Sequence, residues 1–312
     1  MSKIIVTGGA GFIGSNVADA LIEEGHKVAI IDNLSVGLKE NISKYAKFYE
    51  ADITQTKRME EIFDEFKPEV VHHLAAQIDL RKSVAEPAND VKTNVMGTVN
   101  LLLAAVKSGC KKFIFSSTGG AIYGDGVERP TPETAEADPV SPYGINKLTS
   151  ERYIKYFERT SNLKTICLRY ANVFGPRQNP LGHAGVIAIF GVKLLKGEPV
   201  KISGDGEQTR DYVYVENVVQ ANLTALKSNV NGIFNIGSGK ELSLNAVTEA
   251  LQKETQSKSK VTHIPGKPGE QKFSCLSIEK AYLELGWKPE IDFEEGVRRT
   301  ILWQKKWLKS RK

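Results

Sequence analysis

The chain has 312 residues, of which 41% are hydrophobic and 25% charged, and its formal net charge is +5. This length suffices for one large α/β domain or for a larger and a smaller one, and the composition is that of an ordinary globular protein. The small charge, with no block of lysine and arginine inside the chain, argues against a nucleic-acid partner. The basic residues at 305–312 are interpreted as the solvated end of a last helix.

The cysteines Cys110, Cys167 and Cys275 are far apart and show neither a CxxC nor a metal-ligand spacing. This usage is typical of free thiols in a reducing compartment. The first predicted strand begins near the N-terminus without the architecture of a signal peptide. No apolar run approaches the roughly 18–20 residues that span a bilayer. We therefore expect a soluble, cytoplasmic protein with no bound metal and no membrane partner.

Short apolar segments rich in β-branched residues alternate with amphipathic segments along the first half of the chain. Strands are predicted at residues 3–7, 27–32, 47–50, 70–74, 112–116 and 164–170. Helices are predicted at residues 12–24, 58–66, 89–108 and 143–160. Strands that are apolar throughout and separated by helices indicate a parallel sheet covered on both faces. With right-handed crossovers, this pattern predicts a Rossmann-type doubly wound α/β fold.

The regular alternation of predicted strands and helices ends after residue 175. Clusters of glycine, proline and asparagine near 175–182 and 204–206 mark loops, and shorter elements follow, including helices predicted at 185–196 and 244–255. We predict a Rossmann domain at 1–175, to which residues around 211–240 contribute. Residues 176–312 are predicted to form a smaller mixed α/β lobe that binds the substrate and is interwoven with the first domain.

A glycine-rich segment joins the first predicted strand to the first predicted helix. Gly8, Gly11 and Gly14 have the spacing GxxGxxG, which glycine suits because it permits a tight turn and close approach of a pyrophosphate to the backbone. The pyrophosphate would lie against the helix N-terminus, at Phe12 and Ile13. A glycine pattern alone is also compatible with a simple tight turn between strand and helix.

The end of the second predicted strand decides between these interpretations. Asp32 lies where a carboxylate binds the ribose hydroxyls of a dinucleotide, next to Asn33. A carboxylate there repels a 2′-phosphate, so the sequence favours NAD over NADP. Asp52 and Ile53, after the third predicted strand, lie where an adenine edge is read. Asp52 is equally suited to be a helix N-cap, and that alternative stays open.

Tyr143 and Lys147 are four residues apart, so a helix places them on one face. A free phenol has a pKa of about 10, and a nearby ammonium is expected to lower it towards that of a useful base. Such a pair is common on helix surfaces, but together with the glycine segment and Asp32 it indicates redox chemistry with NAD. The segment Ser116-Ser117-Thr118-Gly119-Gly120, at a strand end, supplies hydroxyls that can share a proton with the substrate.

These motifs resemble the extended short-chain dehydrogenase/reductase family, and within it the NAD-dependent nucleotide-sugar epimerase/dehydratase branch, nearest its UDP-hexose 4-epimerases. The resemblance covers nearly the whole chain. Beyond the glycine segment and the Tyr143/Lys147 helix, it runs through residues 73–77, 94–98, 123–124, 168–177 and 204–212. It implies a soluble homodimer, formed by the helices near 89–108 and 143–160, that acts on a nucleotide sugar.

The resemblance also implies roles for individual residues. Thr118 corresponds to the catalytic Ser/Thr, Tyr143 to the base and Lys147 to its electrostatic partner. Ala75 and Ala76 line the cofactor and Asn94 lies beside it. The remaining matches are positions that hold the nucleotide diphosphate: Asn172, Arg210, and a block at Lys267-Pro268-Gly269-Glu270 where the family has an arginine in place of Lys267.

Departures from the family pattern bear on the reaction. Nucleotide-sugar dehydratases carry two acids directly after the catalytic threonine, whereas Thr118 is followed by Gly119-Gly120, which disfavours dehydration. The segment is also one residue longer than in the epimerases, so Ser117 is an alternative to Thr118 as the catalytic hydroxyl. Ser274 falls where some 4-epimerases have a tyrosine that blocks N-acetylated sugars, and a small residue there predicts that UDP-GlcNAc and UDP-GalNAc are accepted.

The sequence therefore predicts reversible C4 epimerisation of a UDP-hexose through a transient 4-keto sugar. One alternative is a UDP-glucuronate 4-epimerase or another epimerase of the branch, in which Arg81, Lys82 and Ser83 would contact a carboxylate; these residues are interpreted first as a solvated loop. A second alternative, from another class, is a non-catalytic NAD-binding regulatory protein. Such a protein typically loses the Tyr or Lys, and both are present here.

Overall fold

The computed structural model of the protein describes residues 1–124, 126–181, 185–266 and 272–311. The first half of the chain contains β1 (Lys3–Thr7), α1 (Phe12–Glu23), β2 (Lys27–Asp32), β3 (Lys47–Glu50), α2 (Thr56–Phe66), β4 (Val70–His73), α3 (Leu80–Ala85), α4 (Pro87–Val91), a π-helical segment (Lys92–Met96), α5 (Gly97–Lys107), β5 (Lys112–Thr118) and α6 (Pro142–Thr160). The second half contains β6 (Lys164–Tyr170), β7 (Asn172–Phe174), α7 (Val186–Leu195), β8 (Val200–Ser203), β9 (Thr209–Tyr214), α8 (Val215–Lys227), β10 (Gly232–Ile236), β11 (Glu241–Ser243), α9 (Leu244–Thr255), β12 (Val261–Ile264) and α10 (Phe293–Ser310).

The main sheet has seven strands in the order β10-β6-β5-β4-β1-β2-β3, and each neighbouring pair is parallel. The chain builds outward from β1 to β3 and then returns to place β4 on the other side of β1. The strand order therefore reverses between β1 and β4, and ligands of such sheets bind outside the carboxyl ends of the strands at this point. The predicted Rossmann-type doubly wound fold is confirmed.

Both faces of the sheet are covered, as the apolar strands predict. Along β1, Ile4 and Val6 point into one apolar cluster with residues of α1 and α8. Ile5, between them, points into a second cluster with residues of α2, α5 and α6. This alternation is the two-residue period of a strand that is buried on both sides.

The C-terminal part of the chain adds two small sheets, β11-β9-β7 and β12-β8. Helices α7, α9 and α10 pack around them over a third apolar cluster that includes Phe174, Ile187 and Val297. The strand β10 belongs to the main sheet, where it pairs with β6. The functional division into a cofactor domain at 1–175 and a substrate lobe at 176–312 stays a prediction.

The helix predicted at 89–108 has a different form in the structure. It is a continuous run of α4, the π-helical segment and α5. In a π-helical turn the hydrogen bonds join residues five apart, so a backbone carbonyl group can lose the N–H donor that it would have in an α-helix. The carbonyl oxygen of Asn94 instead accepts hydrogen bonds from the hydroxyls of Thr98 (2.7 Å) and Ser150 (2.9 Å). Hydrophobic periodicity does not reveal such a turn, because the turn shifts the apolar stripe of the helix only slightly.

The loop interpretation of residues 81–83 is wrong. Arg81, Lys82 and Ser83 lie in helix α3, where the side chain of Asp79 accepts a hydrogen bond from the Arg81 backbone N–H and so caps the helix. Arg81 and Lys82 are exposed, whereas Ser83 is buried. The helix is too short to produce a readable apolar period, which is why the sequence suggested a loop.

The basic tail is the end of α10, in which Lys305, Lys306 and Lys309 are exposed. All three cysteines are buried free thiols. Among the residues that the structure describes, no helix is both long and apolar enough to cross a membrane.

Candidate active site

The glycine segment at the end of β1 is held in tight contact with its surroundings. Gly8 has a φ of +70°, and a Cβ added there would lie 2.6 Å from the backbone nitrogen of Ala75. A Cβ on Gly14 would lie 2.2 Å from the carbonyl oxygen of Gly8. The segment therefore packs against the end of β4 on one side and against α1 on the other. Only glycine at both positions allows this packing.

The N-terminus of α1 is available to an anion. Helix α1 begins at Phe12 with Gly11 as its N-cap residue, and in the described part of the chain no side chain caps it. The first backbone N–H groups of a helix have no acceptor within the helix and carry its positive dipole end. Those of Phe12 and Ile13 lie at the point where the strand order reverses, so this cradle fits the pyrophosphate of a dinucleotide.

Asp32 lies at the end of β2 and is largely buried. Its carboxylate accepts hydrogen bonds from the backbone N–H groups of Ala10 (3.0 Å) and Leu34 (2.8 Å). Burial raises the pKa of Asp32 above its usual value, and these two hydrogen bonds oppose that rise. Asp32 thus ties the glycine segment to β2 while keeping a carboxylate beside it, where the predicted ribose contact requires one.

Asn33, Asp52 and Ile53 border the same end of the sheet. The side chain of Asn33 donates to Asp52 (3.0 Å), and the other carboxylate oxygen of Asp52 accepts from the Thr54 N–H (2.8 Å). Helix α2 begins at Thr56 with Gln55 as its N-cap residue, so the alternative of Asp52 as the N-cap is wrong. Ile53 is buried in the cluster beneath α2 and α5.

Asn94, in the π-helical segment, clamps the loop that follows β4. Its side-chain oxygen accepts from the Gln77 N–H (2.9 Å), and its side-chain nitrogen donates to the Gln77 carbonyl (3.0 Å). The loop includes Ala75 and Ala76, which are half-buried. The two-way clamp fixes this loop beside the glycine segment, where the small alanine side chains leave space for a planar ligand.

The Tyr143/Lys147 pair lies in the first turns of α6. Ser141 caps this helix by accepting from the Gly144 N–H (3.2 Å). A Cβ on Gly144 would lie 2.2 Å from the carbonyl oxygen of Ala121, so the helix start is pressed against the chain that leaves β5. The Lys147 ammonium is buried, donates to the Ser116 carbonyl (2.8 Å) and lies 4.5 Å above the Phe115 ring.

The protonation of this pair differs from the expectation. Burial raises the pKa of the Tyr143 phenol well above its usual value, and the Asp90 carboxylate acts in the same direction. Burial also lowers the pKa of Lys147 to about 8, against the opposing effect of Asp90 and Glu151. In the protein chain by itself the phenol pKa is therefore raised, whereas a lowered value was expected, because burial is the largest effect on it.

The two candidate hydroxyls at the end of β5 have different surroundings. Ser117 donates to the Glu151 carboxylate at 2.6 Å in a buried network. The two oxygens of the same carboxylate accept from Nε (2.9 Å) and Nη2 (2.6 Å) of Arg169, and Nη1 of Arg169 donates to the Tyr123 hydroxyl (2.8 Å). Thr118 ends the strand, and its hydroxyl makes no hydrogen bond to another described residue. This arrangement commits Ser117 to the interior and leaves Thr118 free to meet a ligand.

The structure brings Asn172 and Arg210 to one cavity of about 330 Å³ between β7, β9 and α7. Its other walls are formed by residues of these elements and their loops: Val173, Phe174, Gln178, Gly185, Val186, Ile187, Gln208, Tyr212 and Leu244. Asn172 also reaches the end of β5, since a Cβ on Gly120 would lie 3.5 Å from its side-chain oxygen. The cavity therefore adjoins the site at Thr118.

Ser274 lies in a segment that is anchored to strand β9 on one side and to the chain after β5 on the other. The Lys272 carbonyl accepts from the Thr209 N–H, and the Cys275 carbonyl accepts from the Thr131 N–H, each at 2.9 Å. Ser274 is buried between these anchors. The predicted contacts at Lys267 and Glu270 lie outside the described residues.

Sequence reasoning missed three buried groups around the site. Asp90 lies on α4, and the Glu151–Arg169 pair joins α6 to β6. One signal was present for Glu151, which follows Lys147 by another four residues and so continues the same helix face. Asp90 and Arg169 gave no such signal, because their partners are distant in sequence.

Together, the glycine cradle, the buried Tyr/Lys pair and the adjoining polar cavity define a nucleotide-dependent redox enzyme on a doubly wound sheet. The chain belongs to the NAD-dependent epimerase/dehydratase family, whose model matches residues 4–237. The family assignment confirms the predicted resemblance, the NAD cofactor and the prediction of an NAD-dependent enzyme.

Relatives within the family are similar to this chain over nearly its whole length. The structure of UDP-glucose 4-epimerase from Thermotoga maritima, solved with UDP-glucose, is 50% identical, covers 98% of this chain and 99% of its own, and superposes with a TM-score of 0.97. The UDP-glucose 4-epimerase of Mycolicibacterium smegmatis is 39% identical over 96% of this chain and 97% of its own. The UDP-N-acetylglucosamine 4-epimerase of Methanobrevibacter ruminantium, solved with UDP-N-acetylmuramic acid, is 36% identical, covers 98% of this chain and 99% of its own, and has a TM-score of 0.93.

Proposed function

We propose that the protein catalyses the reversible, NAD-dependent C4 epimerisation of a UDP-hexose such as UDP-glucose or UDP-galactose. One observation carries the proposal: Thr118 and the Tyr143/Lys147 helix meet at the end of β5, and Asn172 joins that point to the cavity that contains Arg210. This arrangement supports the proposal of a proton-transfer site beside a diphosphate site. The similarity to UDP-sugar 4-epimerases over nearly the whole chain supports the same reaction.

In this proposal the cofactor lies along the carboxyl edge of the sheet. Gly8, Gly11 and Gly14 with the N–H groups of Phe12 and Ile13 hold the pyrophosphate, and Asp32 holds the adenosine ribose. The remaining cofactor contacts are Asn33, Asp52, Ile53, Ala75, Ala76, Asn94, Tyr143 and Lys147. Bound there, NAD would supply the reversible hydride chemistry at C4 of the sugar, which the chain's own residues cannot provide.

The chain's own residues handle the proton. Tyr143 takes the proton of the 4-hydroxyl and later gives it back, and Thr118 shares a hydrogen bond with the same oxygen. Because burial alone raises the phenol pKa, Tyr143 needs positive charge nearby to act as a base. Lys147 supplies one such charge, and its bond to the Ser116 carbonyl fixes the ammonium beside β5.

Binding of the nucleotide and binding of the sugar make different demands. Arg210 and Asn172 clamp the diphosphate, since a guanidinium binds its oxygens in a bidentate manner. Lys267 and Glu270 are proposed to add contacts on the same side. The 4-keto sugar must turn over before hydride returns, so the nucleotide is held firmly and the sugar loosely.

The structure supports epimerisation over dehydration for a steric reason. A Cβ on Gly119 would lie 2.5 Å from the side chain of Leu276. An acid directly after Thr118, as the dehydratases carry, would therefore require Leu276 to move. Because the two acids perform the proton transfers of water elimination, this chain lacks the groups for that step.

We further propose that N-acetylated UDP-sugars are substrates, because Ser274 is small and lies in the segment anchored to β9 and to the chain after β5. Turnover of UDP-galactose and UDP-GalNAc would be compared in the wild type and in Ser274→Tyr. The bulky side chain should reduce turnover of the acetamido sugar selectively, and Ser274→Ala is the matched control. A wild type that converts UDP-galactose but not UDP-GalNAc would contradict this specificity.

The alternative of a UDP-glucuronate 4-epimerase receives less support. A C6 carboxylate would need a cluster of cations or hydroxyls at the sugar site. Arg81 and Lys82 are exposed on α3, and the Ser83 hydroxyl is occupied by the Leu80 carbonyl at 2.7 Å. A non-catalytic NAD-binding role is disfavoured because Tyr143 and Lys147 are both present and buried at the site.

The predicted homodimer is proposed to form through α5 and α6, which pack side by side. The large apolar side chains exposed on these helices and the preceding π-helical segment are Met96, Leu103, Val106, Ile145, Tyr153 and Tyr156. Several exposed apolar side chains on two neighbouring helices are typical of a protein interface. Analytical ultracentrifugation of the wild type and of Leu103→Glu would test it; a wild-type monomer would contradict the proposal.

The reaction itself is tested with a panel of UDP-, dTDP-, GDP- and ADP-sugars incubated with the holoenzyme and analysed for C4 epimers. UDP-hexoses should be converted to a mixture of both epimers without net consumption of NAD. No conversion of any UDP-hexose would overturn the proposed function.

A further inference from the structure

We propose that the buried carboxylate of Asp90 is a positioning residue that sets the charge state of the Tyr143/Lys147 pair. This inference rests on the proposed roles of that pair. Asp90 is 1% exposed and lies on α4, which packs against α6. No step of the proposed reaction uses Asp90. Burial of a carboxylate away from water costs free energy, so its presence here calls for an explanation.

The hydrogen bonds of Asp90 suit the ionised carboxylate. One oxygen accepts from the Asn146 side chain at 2.6 Å and the other from the Gln77 side chain at 2.7 Å. Both donors are neutral amides, and no salt bridge in the described part of the chain includes Asp90. Asn146 directly precedes Lys147 on α6, so the carboxylate is held against the turn that carries the reactive pair.

The other groups around the pair carry little net charge. The titratable groups that interact electrostatically with the pair are Asp90 on α4, Glu151 on α6, Cys167 on β6 and His73 on β4. Arg81, Lys82 and Lys92 are exposed on α3 and the π-helical segment, and Lys107 is exposed at the end of α5. Lys112 and Lys164 begin β5 and β6, at the opposite ends of these strands from the pair, and the other charged residues of α6, Arg152, Lys155, Glu158 and Arg159, lie further along the helix. Glu151 is paired with Arg169. Burial lowers the pKa of His73 and raises that of Cys167, so both are neutral.

Among the described residues around the pair, Asp90 is therefore a buried carboxylate without an ion-pair partner, near two buried titratable groups. It acts on both in the same direction: it raises the pKa of the Tyr143 phenol, and it raises the pKa of Lys147 against the larger lowering by burial. The carboxylate keeps the lysine cationic near neutral pH, and it keeps the phenol protonated until further positive charge arrives.

The test is the pH dependence of the holoenzyme with Asp90→Asn. This variant keeps the shape, and a flipped Asn146 amide can still bond to it. Loss of the charge should move both limbs of the kcat/KM profile to lower pH by about one unit, because both pKa values fall together. A merely structural role would lower the height of the profile without moving its limbs.

A second readout does not require turnover. Ultraviolet difference absorbance follows ionisation of the Tyr143 phenol, identified by its loss in Tyr143→Phe, and its midpoint should fall by the same amount in Asp90→Asn. Glu86→Gln, which removes a carboxylate from the exposed start of α4, should leave profile and midpoint unchanged. Asp90→Ser replaces Asp90→Asn if the latter does not fold.

The outcomes separate this inference from the proposed function. Unchanged limbs and an unchanged phenol midpoint in a folded neutral variant would overturn the role of Asp90. A wild type that epimerises no nucleotide sugar would overturn the proposed reaction, while the phenol titration would still decide the effect of Asp90.

Discussion

The ammonium of Lys147 donates a hydrogen bond to the carbonyl oxygen of Ser116 at 2.8 Å, and this contact joins helix α6 to the end of β5. Ser116 lies two residues before Thr118 on the strand, and Lys147 lies four residues after Tyr143 on the helix. The lysine thus holds together the two elements that carry the proposed proton-transfer groups. Because the amine is buried and its pKa is lowered to about 8, its protonation is a measurable property of the site.

The pH dependence of turnover should report this cation. Burial lowers the pKa of Lys147 to about 8, so the ammonium is present below that pH and is lost as the pH rises through it. The rate of epimerisation should therefore decline above about pH 8. The measurement is kcat as a function of pH for the wild type and for Lys147→Met. The variant should have low turnover at every pH and should not show the decline above pH 8. An alkaline limb that persists in Lys147→Met would contradict the assignment.

Replacement of Tyr143 with Phe should reduce turnover by roughly 100- to 10,000-fold, because it removes the proposed base but keeps the ring. The measurements are formation of C4 epimers and transient formation of NADH on addition of a UDP-hexose. Tyr282→Phe, at an exposed tyrosine outside the site and outside the proposed dimer interface, is the control and should be fully active. A Tyr143→Phe enzyme with wild-type turnover would refute the role of the phenol.

The neighbours Ser117 and Thr118 should respond in opposite ways to alanine. Thr118→Ala should lower kcat by about 100-fold with little change in stability, since its hydroxyl serves the substrate. Ser117→Ala should lower the free energy of unfolding by about 1–3 kcal/mol, because Glu151 loses a buried donor. Steady-state kinetics and denaturant unfolding of both variants would separate the roles. If Ser117→Ala were stable but inactive while Thr118→Ala kept its turnover, Ser117 would be the catalytic hydroxyl.

The glycine cradle should not tolerate a methyl group at Gly14. A Cβ there meets the Gly8 carbonyl oxygen at 2.2 Å, so the backbone must move away from the position proposed to hold pyrophosphate. Binding of NAD by Gly14→Ala, measured by calorimetry, should weaken by tenfold or more, about 1.4 kcal/mol. Gly25→Ala is the control: its φ of +83° makes the change strained, but a Cβ meets nothing nearby, so stability falls and NAD affinity does not. Equal affinities in wild type and Gly14→Ala would exclude this geometry.

Much of the fold was readable from sequence because its signals are local. The apolar strands and the glycine segment predict a doubly wound sheet, and the i, i+4 spacing of Tyr143 and Lys147 predicts their common face. The bounds of β1, β2, β3 and β6 agree with the predicted ranges. Short elements such as α3 were missed, since six residues carry too little periodicity.

The parts that were not readable depend on contacts between distant residues. Successive strand residues point to opposite faces, so the choice between Ser117 and Thr118 required knowledge of where Glu151 lies. The direction of the Tyr143 pKa was wrong because the extent of its burial is a property of the packed structure. The contacts of Asp90 were not predictable either, because its carboxylate bonds to the side-chain amides of Gln77 and Asn146, which lie on other segments of the chain.

In the proposed reaction, hydride leaves C4 and returns to C4 of the same sugar. This transfer can be followed by incubating the holoenzyme with UDP-glucose deuterated at C4 and analysing the product by mass spectrometry and NMR. Epimerisation by this route yields UDP-galactose that retains the deuterium at C4, with no net change in NAD. Deuterium at C6 of a 4-keto-6-deoxy product, loss of the label to solvent, or no conversion would contradict it.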